Sequence, residues 1–269
     1  MTLDTNLEII STVVQAAVIV VVFFRKIYKK LPLFSSYLVW VLLVQGANFF
    51  LANYHTASYE RQYFAASILD TVFLICVPVE LSMSVLSPVR SFLPRWTILL
   101  VATTFSMMFY VIWRLAVPPG FDKLTPTSQQ FVHIDIASSV LRIVFFLALA
   151  GCSQLLSIGW RDRELQIATG LGFYSLISLS VTVLHMNQGA STPEAVRLYH
   201  ILDEVVAGSY IVSMVYWIVS FAQKEPERRE FPPQMQNFLL ALSRSAHATR
   251  VALSESSKFK AEEKPKSLR

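Results

Sequence analysis

Seven long apolar runs follow one another along the chain, separated by short polar connections. A helix rising ~1.5 Å per residue needs roughly 20 apolar residues to cross the hydrocarbon of a bilayer. The runs predict membrane helices over Leu7–Phe24, Phe34–Asn53, Tyr63–Leu86, Trp96–Trp113, Phe131–Ile158, Leu165–Met186 and Ile201–Ala222. The expected fold is an all-α integral membrane protein, a bundle of seven transmembrane helices over residues 1–223. Beyond the last run, KEPERRE leads to Pro232 and Pro233. Met235, Phe238, Leu239, Leu242 and Ala246 then recur at helical spacing, with Arg244, His247 and Arg250 on the other side. This predicts a juxtamembrane segment and an amphipathic helix over 224–253. Such a helix either lies on the inner leaflet, where Arg244 and Arg250 meet anionic lipid, or docks on the loops of its own bundle. The charged remainder, 254–269, has the composition of a disordered tail.

Composition agrees with this pattern. The chain is 54% hydrophobic and 15% charged, where a soluble domain carries about 25% charged residues. Its mean hydropathy is +0.50. The net charge of +5 does not signal nucleic acid, because the basic residues sit in short connections between runs, where topology accounts for them. With the N-terminus outside, the inner connections hold Arg25, Lys26, Lys29, Lys30, Arg90, Arg95, Arg161, Arg163, Lys224, Arg228 and Arg229. The outer ones hold only Arg61, Arg114, Lys123 and Arg197. The asymmetry predicts N-out and C-in, in a plasma (inner) membrane. Trp96, Trp113, Trp160, Tyr54, Tyr63 and Tyr199 fall near run ends, as an interfacial aromatic belt does. The start, MTLDTNLE, lacks the basic residues of a secretory signal, so the first run is expected to stay in the protein. Cys76 and Cys152 fall inside runs and read as small apolar side chains. The connections 117–130 and 187–198 are too short to fold as domains, and no internal repeat of the kind that builds inverted-repeat transporters is present.

Ionisable residues inside the runs are the candidate chemistry, since a charge at mid-membrane costs about 2.5–3.5 kcal/mol on insertion scales and marks function or pairing. The third run carries Asp70 and Glu80, and the fifth carries Arg142. Depth and side-chain lean predict an Asp70–Arg142 ion pair. Glu80 follows Pro78, which removes a backbone donor. Two readings stand for this acid: a proton-carrying group at a kink, or a hydrogen bond to Ser153 or Gln154. Nearer the outer side stand His133 and Asp135, the helical face Ser175, Ser178, Thr182 and His185, the cluster His200, Asp203 and Glu204, and Gln45 with Asn48 and His55. Together these outline a polar cavity open outward, with Asp70 and Arg142 at its floor. Ala168, Gly172, Ala207 and Gly208 read as sites of close helix packing.

Two families offer comparisons. Run count and orientation resemble those of the microbial rhodopsins, and Leu202-Asp203 resembles the dipeptide opening their last helix. Ala207 stands where that resemblance implies the retinal lysine, and no run contains lysine, so no retinal Schiff base can form. The outer histidines His133, His185 and His200 are weak zinc candidates, similar in kind to the ligands of seven-helix membrane hydrolases such as the alkaline ceramidases. Those enzymes carry an HxxxH pair in the last helix, where this chain has His200 and Glu204.

The leading expectation is therefore a sensor or receptor rather than an enzyme. It binds a small ligand or proton through Asp70, Glu80, Asp135, Arg142, His185, Asp203 and Glu204, uses no cofactor, and reports to a separate cytoplasmic protein. The alternatives are a transporter or channel working through Glu80, and a membrane zinc hydrolase.

Overall fold

A computed structural model describes residues 3–54, 56–87, 96–116, 126–151, 153, 159–187 and 193–223. The expected amphipathic helix with Arg244 and Arg250, the charged tail, Cys152 and Gln154 lie outside the described residues. Seven α-helices make up nearly all of what is described: α1 (Leu3–Phe24), α2 (Pro32–Tyr54), α3 (Thr56–Val85), α4 (Thr97–Leu115), α5 (Pro126–Gly151), α6 (Arg163–Asn187) and α7 (Pro193–Ala222). A short 3-10 turn, Ile27–Lys29, joins α1 to α2. By length and composition, six of the helices can cross a bilayer. The exception is α2, whose shorter apolar stretch is Pro32–Ala47.

Three helices begin on proline: Pro32, Pro126 and Pro193. Proline suits the first helical position, where its missing N–H removes no bond and its fixed φ is already helical. Two of these starts, with that of α3, extend helices beyond the apolar runs. The α3 helix begins at Thr56 rather than Tyr63, α5 at Pro126 rather than Phe131, and α7 at Pro193 rather than Ile201. The added turns are polar, so hydropathy alone misses them. Pro78 sits buried inside α3 without ending it.

Each helix packs on its neighbours in sequence, α7 closes against α1, and α3 reaches across to α5 and α6. The result is a closed ring with α3 leaning inward. Its apolar core gathers Val18 and Val22, Phe34 and Leu38, Val77 and Leu81, Phe145, Leu165 and Ala168, and Trp217 and Phe221. Phe34 meets Trp217 edge-on at 5.3 Å. Outward the ring is apolar as well: α4 buries no residue and presents Leu99, Met107 and Leu115, while α1 presents Val13, Val20 and Phe24. Apolar surface on every side is what lipid contact requires and water disfavours.

The basic end of the bundle is tied by side chains to backbone. Arg163, only 6% exposed, donates from Nη1 to the Ser220 carbonyl and from Nη2 to the Gln223 carbonyl, both at 2.7 Å. Its guanidinium also lies over the Phe221 ring at 5.3 Å. Arg25 donates to the Ala222 carbonyl. The last carbonyls of a helix have no intrahelical donors and carry the negative end of its dipole. Arg163 of α6 and Arg25, just after α1, therefore cap α7.

Close packing falls on some of the expected small residues. A Cβ on Gly172 would lie 2.8 Å from the Phe146 Cβ, and Ala168 is buried. Nothing lies within 4 Å of such an atom on Gly208. The tightest approach is at Gly170, where a Cβ would collide with the Trp217 indole, itself held by a 3.1 Å bond from Nε1 to the Gln166 carbonyl. Gly170→Ala is expected to cost about 1–3 kcal/mol through overpacking. Gly208→Ala should be neutral or stabilising by up to about 1 kcal/mol, because alanine is the better helix former. Thermal unfolding of the two variants in one detergent makes the comparison.

Candidate functional site

Asp70 and Glu80 of α3 both turn towards α2. The Glu80 carboxylate accepts the Leu33 backbone N–H on Oε1 at 2.7 Å and the Phe34 N–H on Oε2 at 2.8 Å. These are the second and third residues of α2, directly after Pro32. A helix start leaves its first amides without partners and is the positive end of the dipole. Glu80 thus caps α2 from a neighbouring helix with both oxygens. Of the two side chains expected to bond Glu80, Gln154 lies outside the described residues, and the donors found are backbone amides rather than the Ser153 hydroxyl.

About 15 Å away on α3, Asp70 accepts a hydrogen bond from Trp40 Nε1 at 2.9 Å. The expected direct ion pair with Arg142 is not formed. Arg142, half-buried on α5, stands close enough to act electrostatically on Asp70, Asp135, Tyr37 and Tyr174, without a described carboxylate in contact. Asp135 lies two helical turns from Arg142 on the same face and accepts the Thr182 hydroxyl of α6 at 3.1 Å. One guanidinium is therefore shared at a distance by two carboxyl groups and two phenols, drawn from α2, α3, α5 and α6.

Three tyrosines extend this centre, and sequence reading passed over them. Tyr174 and Tyr210 pack edge to face at 5.6 Å. The Tyr210 hydroxyl donates to Gln15 Oε1 at 2.7 Å, and Gln15 Nε2 donates to the Leu38 carbonyl at 2.9 Å. Gln15 is fully buried and the lone polar residue between Thr12 and Arg25. That isolation inside an apolar run was the available signal. For the tyrosines it was position: Tyr174 and Tyr210 sit in the middle of their runs, far from any interfacial belt. Two buried polar atoms nearby, Gln45 Oε1 and Ser175 Oγ, have no protein hydrogen-bond partner.

The hollow against Arg142 is narrow. It measures about 10 Å³, lined by Tyr37, Phe73, Leu74, Val77, Pro78, Phe145 and Leu171. That is about the smallest space that holds one water.

The remaining candidates gather at the end of the bundle opposite the arginine caps. His185 stacks on Tyr199 at 3.9 Å, and its Nε2 lies 3.9 Å from Asp203 Oδ1. His200 meets Tyr199 edge-on at 6.4 Å, while Glu204 is half-buried one residue beyond Asp203. His133 instead packs on Trp113 of α4 at 5.1 Å. The three histidines are thus spread over two places, and among the described residues no three His, Cys, Asp or Glu side chains converge as a metal set. Asn48 and His55 carry no described side chain. Comparison with family models, with curated proteins and with solved structures gave no match.

The cap assigns Glu80 a measurable role. Charge-assisted bonds contribute about 1.5–3 kcal/mol each when both partners are otherwise buried. Glu80→Ala is expected to lower stability by about 2–4 kcal/mol, and Glu80→Gln by roughly half as much, since an amide keeps one acceptor oxygen. Equilibrium unfolding in detergent reads both; equal losses would contradict a two-oxygen cap.

Proposed function

We propose that this chain is a seven-crossing protein of a plasma (inner) membrane, N-out and C-in, and that it is a proton-responsive sensor. Six apolar helices and an apolar exterior support insertion. The excess of basic residues at one end of the bundle supports the orientation. On this reading α2 is the seventh crossing, since its 23 residues span about 34 Å at the usual rise.

The observation that carries the functional reading is a single guanidinium, Arg142, that acts at a distance on both Asp70 and Asp135. One guanidinium answers one carboxylate, so with Asp135 exposed on α5 and bonded to Thr182, the half-buried Asp70 is the acid whose charge is only partly answered. A proton removes that charge without needing a ligand-sized space. Protonating Asp70 weakens its attraction to Arg142 and its hold on the Trp40 N–H, which loosens α3 from α2 at mid-depth. The same helix carries Glu80, whose grip on the α2 start lies at the basic end. A change at Asp70 is thus conveyed along α3 to the surface where a cytoplasmic partner docks. A transporter working through Glu80 finds no support in this geometry, because both oxygens of that acid are held by backbone amides.

Trp40 makes the switch observable. In nanodiscs, wild-type indole emission should carry a pH-dependent component that is absent in Trp40→Phe and abolished in Asp70→Asn, with its midpoint displaced in Arg142→Gln. An emission profile that Asp70→Asn leaves unchanged would remove the sensor reading.

A further inference from the structure

A groove of about 440 Å³ opens on the bundle surface where the close of α1, the 3-10 turn, α2 and α3 meet. Four aromatic rings line it: Phe23 and Tyr28 at the α1 side, Trp40 of α2 and Phe73 of α3. Each ring is held by a contact of its own. Phe23 stacks on Tyr28 at 5.3 Å, Phe73 packs on Tyr37 at 5.8 Å, and Trp40 is fixed by its bond to Asp70. The groove is therefore formed before anything enters it. Its volume falls in the range of about 300–1,000 Å³ usual for sites that hold an organic molecule, and aromatic walls are usual there too.

Length and polarity select the occupant. From Pro32 to Leu43 the groove follows α2 for about 16 Å at the usual helical rise. That is half of a hydrocarbon layer roughly 30 Å thick, the depth of one leaflet. Polarity falls along the way. Tyr28, Ser35 and Ser36 border the end at the 3-10 turn, and Val39, Leu43 and Phe73 the deeper part. The Ser35 hydroxyl is already committed to the Leu31 carbonyl at 2.8 Å. The groove is also continuous with the apolar exterior of the bundle, since Phe23 is 51% and Leu43 61% exposed. A molecule lying in the bilayer enters from the side without crossing water.

We propose that this groove holds one hydrocarbon chain of a phospholipid from the leaflet at the basic end, with the polar part of the lipid beside Tyr28. The rings give the chain broad apolar contact, and the small side chain of Ser36 leaves it room. Tyrosine suits the headgroup level because its ring is apolar and its hydroxyl is not. The site needs only the groove, so it stands apart from the sensor reading.

Native mass spectrometry of the full chain, purified in a mild detergent, counts the lipid that each chain retains. Wild type should keep one phospholipid. Ser36→Phe and Val39→Phe fill the groove from two adjacent turns of α2, and each should lose that adduct. Leu99→Phe, on the exposed face of α4, should keep it. Thermal unfolding in the same detergent confirms that the filled variants are folded, and two of them guard against the failure of one. A phospholipid retained undiminished in both filled variants would overturn the proposal. So would a lipid-free wild type: as a dimer it would assign the groove to a second copy of the chain, and as a monomer to the chain's own segment 224–253.

Discussion

Two carboxyl groups on one helix hold its neighbour in place. In an apolar medium no water is available to satisfy the amides at a helix start, so another part of the protein must supply the acceptors. Pro32 needs none; Leu33 and Phe34 do, and Glu80 takes both. Higher on the same helix, Asp70 takes the Trp40 indole. These bonds fix the depth of α2 against α3, and α3, reaching across the ring, relates that pair to α5 and α6. The opposite requirement arises at the end of α7, where carbonyls lack donors. Arg163 and Arg25 meet it. The basic end is thus a set of helix termini met by side chains from other parts of the chain.

Asp70 and Glu80 on α3 differ in what surrounds them. Glu80 faces two directed backbone donors that cannot move without unwinding α2. Asp70 faces one indole donor and a guanidinium at longer range, and it shares that guanidinium with Asp135. The first arrangement has one stable state. In the second, one guanidinium acts on two carboxyl groups. On the proposed reading, a structural acid and a responsive acid on one continuous helix couple the middle of the bundle to its basic end.

Hydropathy made the helices legible, and it placed Asp70, Glu80 and Arg142 as the residues needing explanation. It did not find their partners. Partner searches along a sequence look for opposite charge, whereas the donors used by Glu80 are backbone amides, which no residue type announces. Trp40 was hidden for a related reason, since an indole counts as apolar until its N–H is needed. Gln15 stood alone in an apolar run, a readable sign of a buried polar contact, and Tyr174 and Tyr210 stood in the middle of theirs, far from any interfacial belt. Gly170 was legible only as a glycine, because the Trp217 ring it accommodates belongs to another helix. The helix starts at Thr56, Pro126 and Pro193 lie beyond the apolar runs, in polar turns that hydropathy does not count.

Infrared difference spectroscopy of the protein in nanodiscs, recorded across a change in pH, tests directly which acid of α3 responds to protons. The carbonyl stretch of a protonated carboxyl group is resolved from that of a carboxylate. The account predicts a pH-sensitive carboxyl band that disappears in Asp70→Asn and persists in Glu80→Gln. A band that survives Asp70→Asn and is lost in Glu80→Gln would contradict it.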